Sequence, residues 1–267
     1  MRPVAIPSFI LQHYQPTEVL EKKIHEINSG FKKMAGVHPE ISIVIPAYNE
    51  ERTILQTLSS LAANTTNRSV EIIVVNNNSK DRTEELAVAA GAHCITETIQ
   101  GITAARNAGL AVAKGKYILD ADADTIYPPD WIEEMTKPLA AQNKVAMTYG
   151  RFAFIPIGKT TRRTYFFYEY FAEFTRWINK TFRHEAVNVY GFNSGFKREE
   201  SLQVNGFSHP PGTNEDGWLA MKLQEHGFGK LFCVTNPKAL VWTTDRRIQI
   251  DGGLWKASYK RMKRMLS

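Results

Sequence analysis

The chain has 267 residues, 43% hydrophobic and 22% charged, an ordinary globular composition that excludes a disordered, collagen-like or coiled-coil chain. Lys and Arg number 33 and Asp and Glu 27, a net charge of +6 that points to an anionic partner without choosing among nucleic acid, phosphorylated ligand and membrane. Cys94 and Cys233 stand outside any C-x-x-C or Cys/His cluster, so neither a disulfide framework nor a structural zinc site is expected. The N-terminal stretch lacks an apolar core with a cleavage site, and no run approaches the roughly 18 apolar residues of a membrane span. A cytoplasmic location is the expectation.

Residues 1–38 read as an appendage. Val19, Ile24 and Ile27 fall at near-helical spacing and predict a short helix over 18–27, packed on the main body. The body, 39–245, opens on the apolar run 41–45, a buried strand that Pro46 is expected to end. A helix over 51–63, a strand over 71–75, a helix over 81–90, a short strand over 92–96, a helix over 103–113 and a strand over 116–119 follow. Strands alternating with helices predict an α/β fold with a mostly parallel central sheet flanked by helices. Such sheets bind ligands at the carboxyl ends of their strands. Three polar clusters fall just there, at 46–50, 76–79 and 120–124. Beyond residue 150 the pattern is less regular, and 246–267 reads as a basic tail.

Asp120, Asp122 and Asp124 alternate after a strand, so in an extended chain their side chains share one face. Carboxylates that close repel unless a cation intervenes, and hard oxygen ligands suit Mg²⁺ or Mn²⁺ bridging a diphosphate. A bare D-x-D also occurs in solvated acidic turns, so its surroundings decide. Seven stretches supply them in order: 43–50 (IVIPAYNE), 73–83 (IVVNNNSKDRT), 101–109 (GITAARNAG), 115–124 (GKYILDADAD), 129–132 (PDWI), 191–195 (GFNSG) and 212–219 (GTNEDGWL). Together, over about residues 41–230, they resemble the inverting family 2 glycosyltransferases of the GT-A nucleotide-diphospho-sugar transferase fold.

The resemblance implies a role for each stretch. Its D-x-D falls on Asp122 and Asp124, which would hold Mn²⁺ or Mg²⁺ on the donor diphosphate. Pro46, Ala47, Tyr48 and Glu50 would cup the nucleoside, Tyr48 toward the base and Glu50 toward the ribose. Asn76, Asn77 and Asn78 stand where an Asp commonly meets the base; an amide offers both acceptor and donor, so uridine and guanosine stay open. Arg106 would reach the donor phosphate or sugar, or tie its loop to the sheet. Asp216 would be the general base for an acceptor hydroxyl, with Glu215 and Trp218 on the acceptor side and Gly191, Asn193 and Ser194 on the floor between donor and acceptor. Asn214, Glu215 and Asp216 also fit a helix N-cap, as do Asp81 and Thr83, and Trp218 fits core packing equally well. His209 reads as structural rather than as a metal ligand. Residues 41–150 hold nine Lys and Arg against 13 Asp and Glu, a balance of −4 that would receive a dianionic diphosphate poorly without a cation.

Two segments carry the basic excess. Residues 165–177 hold eight aromatics, and the surrounding 159–183 hold six Lys and Arg against two Glu. A buried aromatic core is the simpler reading; an amphipathic helix touching a membrane or a lipid-linked acceptor is the other. Residues 252–267 carry five Lys and Arg and no acid, with Trp255, Tyr259, Met262 and Leu266 roughly on one helical face. Between them, Arg246 and Arg247 would close over the donor phosphates. The expectation is a metal-dependent inverting hexosyl-type transferase. It would move a sugar from a nucleotide-diphospho sugar to the hydroxyl of a glycan or lipid-linked acceptor in cell-surface polysaccharide or glycolipid synthesis. It would sit peripherally on the inner membrane face and bind no nucleic acid. A non-catalytic nucleotide-sugar-binding partner and a sugar-nucleotide pyrophosphorylase are the alternatives, the latter weakened by the lack of a Gly-rich loop after the first strand.

Overall fold

The computed structural model describes residues 2–141, 144–254 and 256. Three helices lead: α1 (Ser8–Leu11), α2 (Thr17–Glu21) and α3 (Ile24–Met34). The single helix expected over 18–27 is broken at Lys22 and Lys23, and helicity runs on to Met34. Each piece follows its own buried residues. Leu20 anchors α2, and Ile27, Phe31 and Met34, spaced i, i+4, i+7, form the inner face of α3 and join the main core.

The alternating body then appears as read from the sequence, shifted by at most three residues at the ends: β1 (Ile41–Ala47), α4 (Ile54–Ala62), β2 (Val70–Asn76), α5 (Thr83–Ala89), β3 (His93–Thr96), α6 (Ile102–Val112) and β4 (Tyr117–Asp120). After it come β5 (Thr125–Ile126), α7 (Trp131–Ala141), β6 (Val145–Tyr149), β7 (Phe152–Ile155), α8 (Arg162–Phe182), β8 (Ser194–Lys197), α9 (Arg198–Gln203), α10 (Glu215–Glu225), β9 (Lys230–Cys233), β10 (Val241–Thr244) and α11 (Arg246–Ile250). The seven-stranded main sheet runs β3-β2-β1-β4-β8-β6-β9, and a small sheet runs β5-β10-β7. Strands β3, β2, β1 and β4 are parallel, and β8 is antiparallel to both its neighbours. Every residue of β1 is buried, as expected of a central strand covered on both faces.

Two details differ from the sequence reading. Pro46 does not end β1 but pairs with Val75 of β2. Pairing with β4 stops at Val44, and Pro46 falls on the β4 side of the strand beyond that point, so its missing N–H removes no ladder bond. The three aspartates do not share one extended face. β4 ends at Asp120, and a turn at Ala123 and Asp124 precedes β5, which leaves Asp120 buried in the sheet and frees Asp122 and Asp124 from it.

The register brings the polar clusters together. Ala47 pairs with Asn76 and Val44 with Asp120, so the loops after β1, β2 and β4 leave one sheet edge. Because β8 is antiparallel and Ser194 pairs with Asp120, the segment entering β8 arrives at that same edge.

The aromatic-rich stretch is α8, and its faces reverse the buried-core expectation. Tyr165, Glu169, Arg176 and Asn179 are buried, whereas Phe167, Tyr170, Phe171, Phe174, Trp177 and Phe182 are 43–71% exposed. Glu169 explains the inversion: its carboxylate accepts from the Phe154 N–H at 2.8 Å and from Arg162 at 2.8 and 2.9 Å, fastening the polar face to β7. Among the described residues no helix is long and apolar enough to cross a membrane.

Candidate active site

A cavity of about 610 Å³ opens at the shared sheet edge. Pro46, Ala47, Tyr48 and Glu50 form one wall, Asp122 and Asp124 the base, and Glu215 and Asp216 the far side. The β1 loop reaches this position because the β2 loop holds it. Asn49 adopts a left-handed φ of 53°, a conformation Asn tolerates better than most residues. Its side chain accepts from Lys80 N–H at 2.8 Å, and its own N–H donates to Ser79 Oγ at 3.0 Å. Asp81 and Thr83 do more than begin α5. Asp81 accepts from the Thr83 N–H at 3.0 Å and from the Glu51 N–H at 3.1 Å, while Thr83 Oγ1 accepts from the Glu50 N–H at 2.8 Å.

Arg106, on the buried face of α6, is the hub. Its guanidinium donates to Asp216 Oδ1 and, at 3.3 Å, to Asp122 Oδ1, and it lies 3.9 Å from Asp120 Oδ2. The other Asp216 oxygen accepts from the Gly191 N–H at 2.7 Å. Position 191 needs glycine, since an added Cβ would occupy the space of the Arg106 guanidinium. Asn214 caps α10 by accepting from the Gly217 N–H at 2.8 Å, so the capping reading and the placement of Asp216 in the cavity are one arrangement. Burial pushes the Asp120 carboxyl up to about 7, and its Oδ1 has no hydrogen-bond partner among the described residues.

A second charged cluster sits at the mouth. Arg246 donates to both Glu50 oxygens, at 2.8 Å to Oε2, and at 2.8 Å to Asp124 Oδ2. Asp245 positions it: this buried carboxylate accepts from the Tyr165 hydroxyl at 2.6 Å and the Ile157 N–H at 2.9 Å, tying the start of α11 to α8 and to the segment just after β7. Asp122 is set by Tyr127, whose hydroxyl accepts from the Asp122 N–H at 2.9 Å and donates to Phe192 O at 3.0 Å. Burial and then the Asp122 charge push the Asp124 carboxyl up to about 6, and burial raises Asp122 as well.

Several expected residues have other partners. Asn76 donates to Glu84 at 2.6 Å, accepts from the Ser79 N–H at 3.0 Å and lies outside the cavity lining. Asn78 donates to Thr98 O at 2.7 Å, also outside it. Asn77 does line the cavity, but its amide is taken up by Glu97 O, Ile99 O and the Gly101 N–H at 2.8–2.9 Å, so it shapes the following loop. Asn193 accepts from Trp131 Nε1 at 2.8 Å and donates to Arg151 O at 2.8 Å. Gly191 and Phe192, rather than Asn193 and Ser194, reach the cavity. Trp218 is half-buried outside it. His209 bonds Thr103 and Thr213, each at 3.0 Å. The basic C-terminal stretch beyond Lys256, and Trp255, lie outside the described residues.

The sequence reading missed the aromatic wall of Phe152, Phe154, Tyr190 and Phe192. Tyr190 and Phe192 stack at 5.6 Å, and Phe152 meets both edge-on at 5.5 and 5.2 Å. The apolar strand 152–155 and the aromatics flanking Gly191 were the available signal.

The lining has an excess of acid: five carboxylates, Glu50, Asp122, Asp124, Glu215 and Asp216, face three arginines, 106, 246 and 247. Among the described residues no three of His, Cys, Asp and Glu converge as a closed cation cage. Asp122 and Asp124 line an open cavity with hard oxygen donors, the donor type that Mg²⁺-like ions take alongside substrate phosphates.

The family described as Glycosyl transferase family 2 matches residues 42–201. An uncharacterized glycosyltransferase of Rickettsia prowazekii is 35% identical over 114 residues, 42% of this chain and 36% of the relative. Glycosyltransferase AglE of Haloferax volcanii is 32% identical over 107 residues, 38% of this chain and 35% of the relative. The chain thus spans about a third of the length of these relatives. Among solved structures, glucosyl-3-phosphoglycerate synthase of Mycobacterium tuberculosis, in complex with Mn²⁺, UDP-glucose and phosphoglyceric acid, aligns with a TM-score of 0.54 at 22% identity, over 82% of this chain and 75% of that one. Mannosyltransferase PcManGT of Pyrobaculum calidifontis, in complex with GDP-mannose and Mn²⁺, aligns with a TM-score of 0.56 at 20% identity, over 88% of this chain and 66% of that one. Likeness at these identities establishes the GT-A fold, and the family match over more than half of the sequence establishes the rest: the chain belongs to glycosyl transferase family 2.

Proposed function

We propose that this chain is a metal-dependent inverting glycosyltransferase that moves a sugar from a nucleotide-diphospho sugar to an acceptor hydroxyl. The observation that carries the reading is the convergence of Asp122, Asp124, Asp216 and the β1 loop on one cavity. Tyr48, half-exposed on the cavity wall, meets the nucleobase. Glu50 meets the ribose once Arg246 turns from it. Arg246 and Arg247 then bind the diphosphate, replacing a carboxylate partner by a phosphate one. Asp122 and Asp124 would hold a divalent cation there, which would supply charge stabilisation to the leaving nucleoside diphosphate.

Asp216 takes the acceptor proton. Arg106 and the Gly191 N–H fix both its oxygens, so the carboxylate has one orientation before acceptor arrives. The acceptor hydroxyl approaches between Asp216 and the aromatic wall, whose rings suit the apolar face of a sugar. The Mn²⁺ and the UDP- and GDP-sugars of the two structural neighbours support the choice of ligands. Residues 39–245 form the catalytic body in this reading, with 1–38 as an appendage and the tail from 246 beginning inside the site.

The test is turnover of UDP- and GDP-hexoses with and without EDTA. Transfer is expected with Mn²⁺ or Mg²⁺ and to be lost on chelation; undiminished metal-free transfer would overturn the metal role. Nucleotide-sugar binding with no transfer to any glycan or lipid-linked acceptor would favour the non-catalytic alternative.

A further inference from the structure

Helix α8 presents a face that the site does not use. Phe167, Tyr170, Phe171, Phe174 and Trp177 follow the i, i+3, i+4 spacing of one helical stripe and are 43–63% exposed, with Phe182 at 71% just beyond. Cations bracket the stripe: Lys159 and Arg163 at its start, Lys180 and Arg183 at its end, all exposed. Arg163, Arg183 and Lys159 have no ion pair among the described residues, and Lys180 pairs with Glu185 at 2.9 Å. Both acids of the helix are turned away. Glu169 is buried against Arg162, and Glu173 pairs with Arg2, Arg151 and Arg176. At about 1.5 Å per residue, the 21 residues place the two cation groups roughly 30 Å apart, with aromatics, the half-buried Ile178 and small polar residues between them on this face.

Charge selects what covers the stripe. A second copy brings cation against cation: antiparallel, Arg163 meets the other helix's Lys180 and Arg183, and parallel, each cation meets its equivalent. The C-terminal residues 257–267, with Lys260, Arg261, Lys263 and Arg264 and no acid, add positive charge rather than neutralise it. We infer that α8 lies flat on an anionic lipid bilayer, its aromatics in the headgroup and acyl boundary and its bracketing cations on the lipid phosphates. Asp245, at the start of α11, bonds Tyr165, and Gln249 packs against Gly158, so α11 lies against the start of α8. The inference rests on α8 and the cations that flank it and stands apart from the proposed activity.

The experiment is co-sedimentation of the chain with phosphatidylcholine vesicles with and without phosphatidylglycerol. Binding is expected only with phosphatidylglycerol, with a blue shift of tryptophan emission and quenching by brominated lipid. The variant Phe167→Ser/Phe171→Ser/Phe174→Ser, altered only at exposed positions, is expected to lower partition by at least about tenfold with its melting temperature kept. Should that variant misfold, Arg163→Gln/Arg183→Gln keeps the aromatics and is expected to lose about fivefold per cation. No dependence on phosphatidylglycerol, undiminished binding by both variants, or vesicle-free dimerisation that the triple variant abolishes would each overturn the inference.

Discussion

Arg106 and Arg246 face the same cavity with carboxylates on either side, yet the side chain of Arg106 is 3% exposed and that of Arg246 is 40% exposed. Arg106 is held by Asp120, Asp122 and Asp216, and Phe207 lies beneath its guanidinium at 5.5 Å. Among the described residues Arg246 is held only by Glu50 and Asp124, at the mouth, where water competes for every contact. A buried ion cluster cannot exchange partners without leaving charges stranded, whereas a half-exposed one can. The first is therefore part of the architecture that fixes Asp216, and the second is a pair that a phosphate can replace.

Removing the architectural arginine is expected to have the largest effect. Arg106→Ala leaves Asp120 and Asp216 buried without their cation and should destabilise the fold by about 3–5 kcal/mol, read as a drop in the unfolding midpoint. Arg106→Lys keeps the charge but loses the fork that reaches two carboxylates, and should recover only part of that loss. If Arg106→Ala melts like the parent protein, the distinction between the two clusters fails. Asp216→Asn tests the same cluster through chemistry. It should lower transfer by roughly 10²–10⁴-fold while nucleotide affinity, measured by calorimetry, stays within a few-fold. Loss of both together would assign Asp216 a purely structural role.

The two clusters also differ in how far they can be read without coordinates. Arg106 lies in the GITAARNAG stretch one helix after β3, and the strand-end loops that meet it are set by a parallel register that alternating apolar runs imply. The apolar runs and helical spacings up to Asp120 are local, so fold class and the cavity edge were legible from them. Arg246 meets Glu50 across 196 residues of chain, through the pairing of β10 with β5 and β7, and no local pattern encodes such a crossing. Asn76 and Asn193 have partners inside the fold for a related reason. A polar residue at a strand end reads as ligand-facing, but Glu84 and Trp131, whose positions depend on packing, had already claimed them. The faces of α8 were opaque because Arg2, far along the chain, reaches both Glu169 and Glu173, and Glu173 in turn pairs with the buried Arg176.

Acidity offers a sharper division of the clusters, with an effect of a few degrees in melting temperature. Asp124 is pushed up to about 6 and Asp120 to about 7, both chiefly by burial. Between about pH 4 and 7 the folded protein keeps protons that the unfolded chain, with carboxyls near 3.8, has lost. Metal-free stability should therefore be highest at the acid end of that window, fall as pH rises through it, and level off above about 7. A divalent cation competes with those protons, so the Mn²⁺-induced rise in melting temperature should be larger at pH 8 than at pH 5. An equal or larger rise at pH 5 would remove Asp122 and Asp124 as the cation site. Tyr127→Phe, which loses the hydroxyl that fixes the Asp122 N–H, should shrink the rise at pH 8 while costing about 1 kcal/mol of stability.

The smallest expected change in stability belongs to Arg246→Ala. Its pairs with Glu50 and Asp124 are partly exposed, and such pairs contribute about 0–1 kcal/mol, so the metal-free melting temperature should barely move. Its consequence should appear only with donor present. Without the guanidinium, the nucleoside diphosphate loses one charge-assisted contact, and donor affinity should fall about tenfold, with a similar rise in KM and a smaller change in kcat. Arg106→Lys has the opposite signature, a stability loss with or without nucleotide. A variant at 246 that melts lower without donor yet binds it as tightly as the parent would make the mouth cluster architectural too, and the two arginines equivalent.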